Sequence, residues 1–398
     1  MIELEQVEHI LEWTPIVDIH THLFPPEFGE LSLWGIDELL TYHYLIAEAI
    51  RTSQALAPDQ FYKLSKQDQA DFIWRTLFVE RLPLSEATVG VVKVLTSLGL
   101  DPCDSLENLR AWFREQNPAD HLDRIFELAG VETVTMTNDP FDPVETQMWN
   151  ETSLPSKRFA SALRLDRLIH TLDAMNPQMP GPGDTYTRAN RFLDKWIEKM
   201  KPSYVAASFP PDFHHGTAPL RQIVFPTCRR HGLPFAMMIG VKRAMNPALR
   251  SAGDGMGVAD LSGLVTLLTE NPDIRFLVTT LAKENAHHLC VLGRKFSNLG
   301  VFGCWWFVNN PSMVEEIAEM RLEMLGDAFI PQHSDARIFE QLIYKWRSSK
   351  KSIARSLHKR VRALEEAGRT VTEEELTTTA RTLLYDNPRR WMKSYEAV

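Results

Sequence analysis

Eight short apolar runs alternate with helical segments along most of this chain, and that alternation constrains its fold more than any other feature. The runs fall at about residues 16–20, 132–137, 158–165, 203–209, 234–240, 274–280, 300–307 and 328–332. Strands that alternate with helices pair in parallel, and eight such units close into a barrel with its chemistry at the carboxyl ends of the strands. The expected fold is therefore α/β, a distorted (β/α)8 TIM barrel. One stretch breaks the regularity. Residues 30–130 carry almost no β pattern, and helical segments lie near 39–50, 61–81, 86–98 and 106–113, so a helical insertion follows the first strand. The expected division is a barrel over 1–29 and 119–398 and an insertion over 30–118. A helix over 3–13 stops at Thr14-Pro15. Two charged helices, 350–362 and 372–384, are expected to lie solvated over the barrel.

Composition excludes several function classes. With 44% hydrophobic residues in 398, the chain can bury a large core. A net charge of −9 argues against a nucleic-acid partner, which calls for a basic excess, while a small anionic substrate remains compatible through a few arginines in a cleft. Cys103, Cys228, Cys290 and Cys304 fit neither a disulfide framework nor a paired-cysteine zinc motif. The N-terminus lacks a basic and then apolar leader, and no apolar run approaches the length of a membrane span. A cytoplasmic protein with reduced thiols and no membrane partner is expected, with self-association left open.

The strand ends hold the candidate chemistry. In a strand, side chains two apart share a face, so His20 and His22 can reach one divalent ion. Taken alone, such a pair among 13 histidines is weak. In a closed barrel the last strand lies beside the first, which lets Asp335 complete a site of two imidazoles and one carboxylate. The other reading makes Asp335 the cap of the following helix. Arg337 can orient Asp335 or take a substrate carboxylate, or be a surface arginine, and Arg164 is a second anion candidate. Trp305 and Trp306 divide between core and mouth, where an aromatic ring can pack on a sugar face. A His-Tyr pair such as His43 and Tyr44 in an apolar helix ordinarily serves packing. His214, His215, His287 and His288 are expected to be structural or exposed.

Taken in order, His20-x-His22, Asp37 to Glu48, Thr137-Asn138-Asp139-Pro140, Phe302 to Phe307, and His333-Ser334-Asp335-Ala336-Arg337 followed by Gln341 to Trp346 resemble the uronate isomerases of the amidohydrolase superfamily. The resemblance runs along essentially the whole chain. It implies a divalent metal, zinc by preference, on His20, His22 and Asp335, with Arg337 pairing with Asp335 and with a sugar-acid substrate. It further implies that His43 and Tyr44 enter the site from the insertion, and that Arg164 helps hold the sugar carboxylate. Lys242-Arg243 and Thr279-Thr280 stand where many hydrolases of the superfamily carry extra histidines. The implied reaction interconverts an aldose uronic acid and its ketose acid through a cis-enediol. The rivals are a metal-dependent hydrolase or decarboxylase on the same barrel, and a sugar-acid binding protein without turnover.

Overall fold

The computed structural model describes residues 1–53, 55–152 and 157–393. Its strands are β1 (Ile16–Thr21), β2 (Val131–Asn138), β3 (Phe159–Arg164), β4 (Val205–Phe209), β5 (Phe235–Ile239), β6 (Val241–Lys242), β7 (Gly255–Met256), β8 (Phe276–Thr280) and β9 (Leu299–Val301). Seven of them form one sheet in the order β1-β2-β3-β4-β5-β8-β9, every pairing parallel. Helices run between successive strands, as the alternation predicts, and the sheet curls into a distorted (β/α)8-type barrel. The short β6 and β7 form an antiparallel hairpin above the mouth.

The eighth strand expected at 328–332 is not formed. Its place is taken by a single parallel bridge between Phe302 and Ile330. Pro331 follows at once, and a residue without an N–H cannot continue a ladder. The expected strand over 300–307 is likewise cut to Leu299–Val301. Gly303, at φ +61°, turns the chain, and a Cβ there would lie 1.8 Å from His333 Nδ1, so only glycine fits. The barrel closes instead through Asp335 N–H donating to His20 O (3.1 Å) and His22 N–H donating to Ala336 O (2.7 Å).

Between β1 and β2 the chain is helical, including Ile36–Leu40, His43–Ser53, Lys66–Trp74, Glu86–Ser97 and Leu106–Arg114. Three of these helices start on serines, Ser65, Ser85 and Ser105, whose hydroxyls each accept a backbone N–H three residues on at 3.2 Å. The charged tail departs from expectation. Gln341–Glu366 is one 26-residue helix, and it is packed rather than solvated. It lies against Leu4–Trp13 and Pro311–Leu325 and buries Trp346, Ile353 and Leu357. Lys350, expected in solvent, is buried and donates from Nζ to Glu12 O (2.8 Å) and Thr14 O (3.3 Å), satisfying the end of the first helix. Among the described residues no helix is long and apolar enough to cross a membrane.

Candidate active site

The pleat of β1 sends His20 and the following His22 to one side, with their rings 5.5 Å apart. The backbone bonds that close the barrel bring Asp335 opposite them. Asp335 Oδ1 lies 3.7 Å from His20 Nε2 and 3.4 Å from His22 Nε2, and the three donor atoms fall within 4.8 Å of one another. Asp335 is buried, yet its Oδ1 has no hydrogen-bond partner. An orphaned buried acceptor is costly unless a cation meets it, so this donor set fits a divalent metal. The capping reading of Asp335 has no support, since the helix that follows begins at Gln341.

The tautomer of His20 is fixed from behind. The Tyr204 hydroxyl donates to Ile19 O (2.5 Å), so its oxygen is left to accept from His20 Nδ1 (3.2 Å). The ring proton therefore sits on Nδ1, and Nε2 presents its lone pair to the site. Burial lowers His20 to about 4, and burial with the nearby Arg337 lowers His22 to about 3. Both rings are neutral near pH 7, the state a metal requires. Burial works against ionisation of Asp335, but contact with His22 and the nearby Lys345 ammonium hold it well below the ordinary carboxylate range.

His20, His22 and Asp335 line a deep cavity of about 30 Å³ together with His43, Thr137, Arg164, Trp305, Trp306 and Arg337. It opens into a chamber of about 440 Å³ that shares His43, Arg164, Trp306 and Arg337. Small-molecule sites are of this order in volume. His43 belongs to the wall rather than to packing alone. Its Nε2 is buried without a hydrogen-bond partner, and burial, aided by Arg337, lowers the ring to about 3. Tyr44 stands behind it with ring centroids 4.6 Å apart. Its hydroxyl is buried and unpartnered, and burial raises it well above the ordinary phenol value. Trp306 stands edge-on to His43 (5.5 Å) and stacks on Phe307 (4.9 Å). Both tryptophans are buried and both reach the cavity, so the expected split between core and mouth does not occur. Trp306 and Asp335 also hold positive φ, +48° and +50°. Such strain in bulky or charged residues concentrates at functional sites.

Arg164 is bound to Asp166 (Nε to Oδ2, 2.9 Å), and Asp166 also accepts from Ser208 N (3.2 Å). Among the described residues no ion pair links Arg337 to Asp335, and the Arg337 guanidinium faces the chamber without a carboxylate partner. The expected pairing of Arg337 with Asp335 is therefore not made. His214, His287 and His288 are exposed, as expected. Sequence reasoning missed Tyr204 and Asp18, and it named Asp166 and Arg243 at strand ends without giving them a role. Of the two missed, Asp18 left a signal, a carboxylate inside an otherwise apolar strand.

The uronate isomerase from Bacillus halodurans C-125 is 45% identical to this chain, covers 98% of it and 95% of its own length, and superposes with a TM-score of 0.95. The uronate isomerase from Thermotoga maritima shares the fold at 15% identity, over 98% and 97% of the two chains, with a TM-score of 0.76. The glucuronate isomerase from Caulobacter crescentus does so at 16% identity, over 97% and 93%, with a TM-score of 0.75. No protein-family model matches the chain, and no curated protein does. With a relative 45% identical over nearly the whole of both chains, this chain belongs to the uronate isomerases, a family of aldose-ketose isomerases.

Proposed function

We propose that this protein interconverts an aldose uronic acid and its ketose acid, D-glucuronate with D-fructuronate or D-galacturonate with D-tagaturonate, by proton transfer through a cis-enediol. The observation that carries the reading is the convergence of His20, His22 and the unpartnered Asp335 oxygen at the floor of a chamber where Arg337 stands free. A dianionic intermediate needs cationic neighbours, and an uncommitted guanidinium offers a planar fork to a carboxylate or an enediolate.

Zinc is the ion we assign to the three donors, since two imidazoles and a carboxylate suit it and leave coordination positions open. Bound there, it supplies Lewis acidity at the sugar oxygens. The protein's own groups carry the rest. Asp335, held ionised, acts as the base near C2. His43, a neutral imidazole, accepts or returns a proton at a sugar oxygen, and Tyr44, a neutral phenol, donates one. Arg337 steadies the developing enediolate, Arg164 helps hold the sugar carboxylate, and the Trp305 and Trp306 rings exclude water. In this reading residues 30–118 form an insertion that serves the barrel by delivering His43 and Tyr44. Cys228, Cys290 and Cys304 are buried free thiols, in keeping with a cytoplasmic setting.

A binuclear hydrolase gains no support. Among the described residues one group of three metal donors is found, and Lys242 is exposed on the hairpin. The test is incubation with D-glucuronate and with D-galacturonate in D2O, followed by NMR. Ketose formation with solvent deuterium at the transferred position is expected. Ketose without any deuterium from solvent would count against a solvent-exchanging enediol route, and no turnover of either acid would remove the isomerase reading.

A further inference from the structure

The backbone at Asp335 is gripped from outside the metal group. Ser334 N–H donates to both carboxylate oxygens of Asp18, at 3.2 Å each. Ser334 O accepts from Lys345 Nζ at 2.7 Å and from Asn309 Nδ2 at 3.2 Å. Trp346, the residue after Lys345, donates from Nε1 to Asp18 Oδ2 at 2.8 Å. All of these groups are buried. Asp18 lies on the same face of β1 as His20 and His22, because side chains two apart share a face, and it also accepts from His20 N–H (3.3 Å).

The two charges are used in an unusual way. Among the described residues no ion pair joins Asp18 to Lys345; each ion holds the opposite side of one residue. Burying a carboxylate and an ammonium is expensive, and an apolar pair of similar volume would stabilise a fold as well, so buried charges of this kind are best explained by what they fix in place. What they fix is the residue before Asp335, whose φ of +50° is a conformation that needs its surroundings to impose it. Resting on the metal-centre reading above, we propose that Asp18 and Lys345 are positioning residues. They clamp Ser334 between β1 and the helix Gln341–Glu366, and so hold the Asp335 carboxylate toward His20 and His22.

Outer partners of a metal ligand typically govern about 10- to 100-fold in metal affinity or activity. The experiment measures Zn2+ affinity of the metal-stripped protein by competition with a chromogenic chelator, alongside circular dichroism, kcat and KM. Lys345→Met is expected to keep its secondary structure, to bind Zn2+ about 10-fold or more weakly, and to lose kcat with KM near that of the natural protein. Trp346→Phe, which removes one donor to Asp18, is expected to weaken Zn2+ binding by a few-fold. His22→Ala is the control and abolishes binding at this site. If Lys345→Met binds Zn2+ as the natural protein does while His22→Ala does not, the clamp is rejected and the metal centre stands. If His22→Ala binds Zn2+ unchanged, the metal-centre reading fails and takes the clamp with it. Should Lys345→Met not fold, Trp346→Phe decides, and unchanged Zn2+ affinity in that variant rejects the proposal.

Discussion

Three arginines at the chamber, Arg164, Arg167 and Arg243, are committed to Asp166, Asp139 and Asp254, whereas Arg337 has no carboxylate partner among the described residues. Replacing Arg337 by Met therefore removes a cation without leaving a buried anion unpaired, and its effect falls on substrate. Steady-state kinetics are expected to show a kcat/KM at least about 10-fold lower, the scale of one charge-assisted contact. Asp335→Asn keeps the side chain's shape and removes its charge, so kcat falls by about 10²-fold or more, the usual worth of a positioned base. Near-normal turnover in that variant would take the base away from Asp335. Tyr44→Phe deletes a hydroxyl that has no hydrogen-bond partner of good geometry among the described residues, so fold stability stays close to normal while kcat falls by about 10²-fold. The convergence of His20, His22 and Asp335 was legible in the sequence because imidazole and carboxylate at strand ends are rare where packing alone decides. Tyr204 was not, since its contact with His20 spans 184 positions and its residue type reads as ordinary core.

The elements that bear the site are tied together by another buried pair. His121 Nε2 lies 2.8 Å from Glu340 Oε1, and the same oxygen accepts from Gly35 N–H (2.9 Å), the residue capping Ile36–Leu40 just ahead of His43. Glu340→Ala leaves both groups buried and unpaired, at about 1–3 kcal/mol each. Urea unfolding is expected to show that loss in midpoint. Because the cap steers the helix that begins at His43, kcat also falls when measured well below the melting temperature. If kcat per folded molecule stays normal, Glu340 supports the fold alone. Patterning predicted the helices between β1 and β2 and most strands well, because apolar periodicity is a local property. It failed at 300–307 and 328–332, where Gly303 and Pro331 override strand-like neighbours through backbone geometry. It also misjudged 350–362, read as a solvated helix, where Lys350 reaches buried carbonyls through its long stem.

Across the whole molecule, buried imidazoles govern the response to acid. Burial lowers His20 to about 4 and His22 and His43 to about 3, and it lowers His333 well below its ordinary value. Unfolding frees all four to take up protons near pH 6.5, so between that value and about 4 the unfolded chain binds more protons from this set and stability falls as pH falls. Asp18, raised by burial to about 6, and Glu145, raised to about 8, act in the opposite sense over the same range, because the folded chain holds their protons. Glu86 and Asp139 are raised by burial as well and also oppose the imidazoles, so the net loss on acidification is shallower than the four rings alone would give. The melting temperature of the metal-stripped protein is expected to drop between pH 6.5 and 5; a flat or rising profile would mean that the buried carboxyls outweigh these rings. The junction at Asp335 carries a different consequence. Both imidazoles are made early, and the carboxylate follows 313 positions after His22 (335 minus 22). During synthesis a divalent ion at the proposed site has no complete seat until that carboxylate has been added. At the proposed site, capture of a divalent ion is thus a finishing event, a rivet through the seam of an already curled sheet, and a ribosome-stalled chain ending at Leu325 would leave that rivet nothing to fasten.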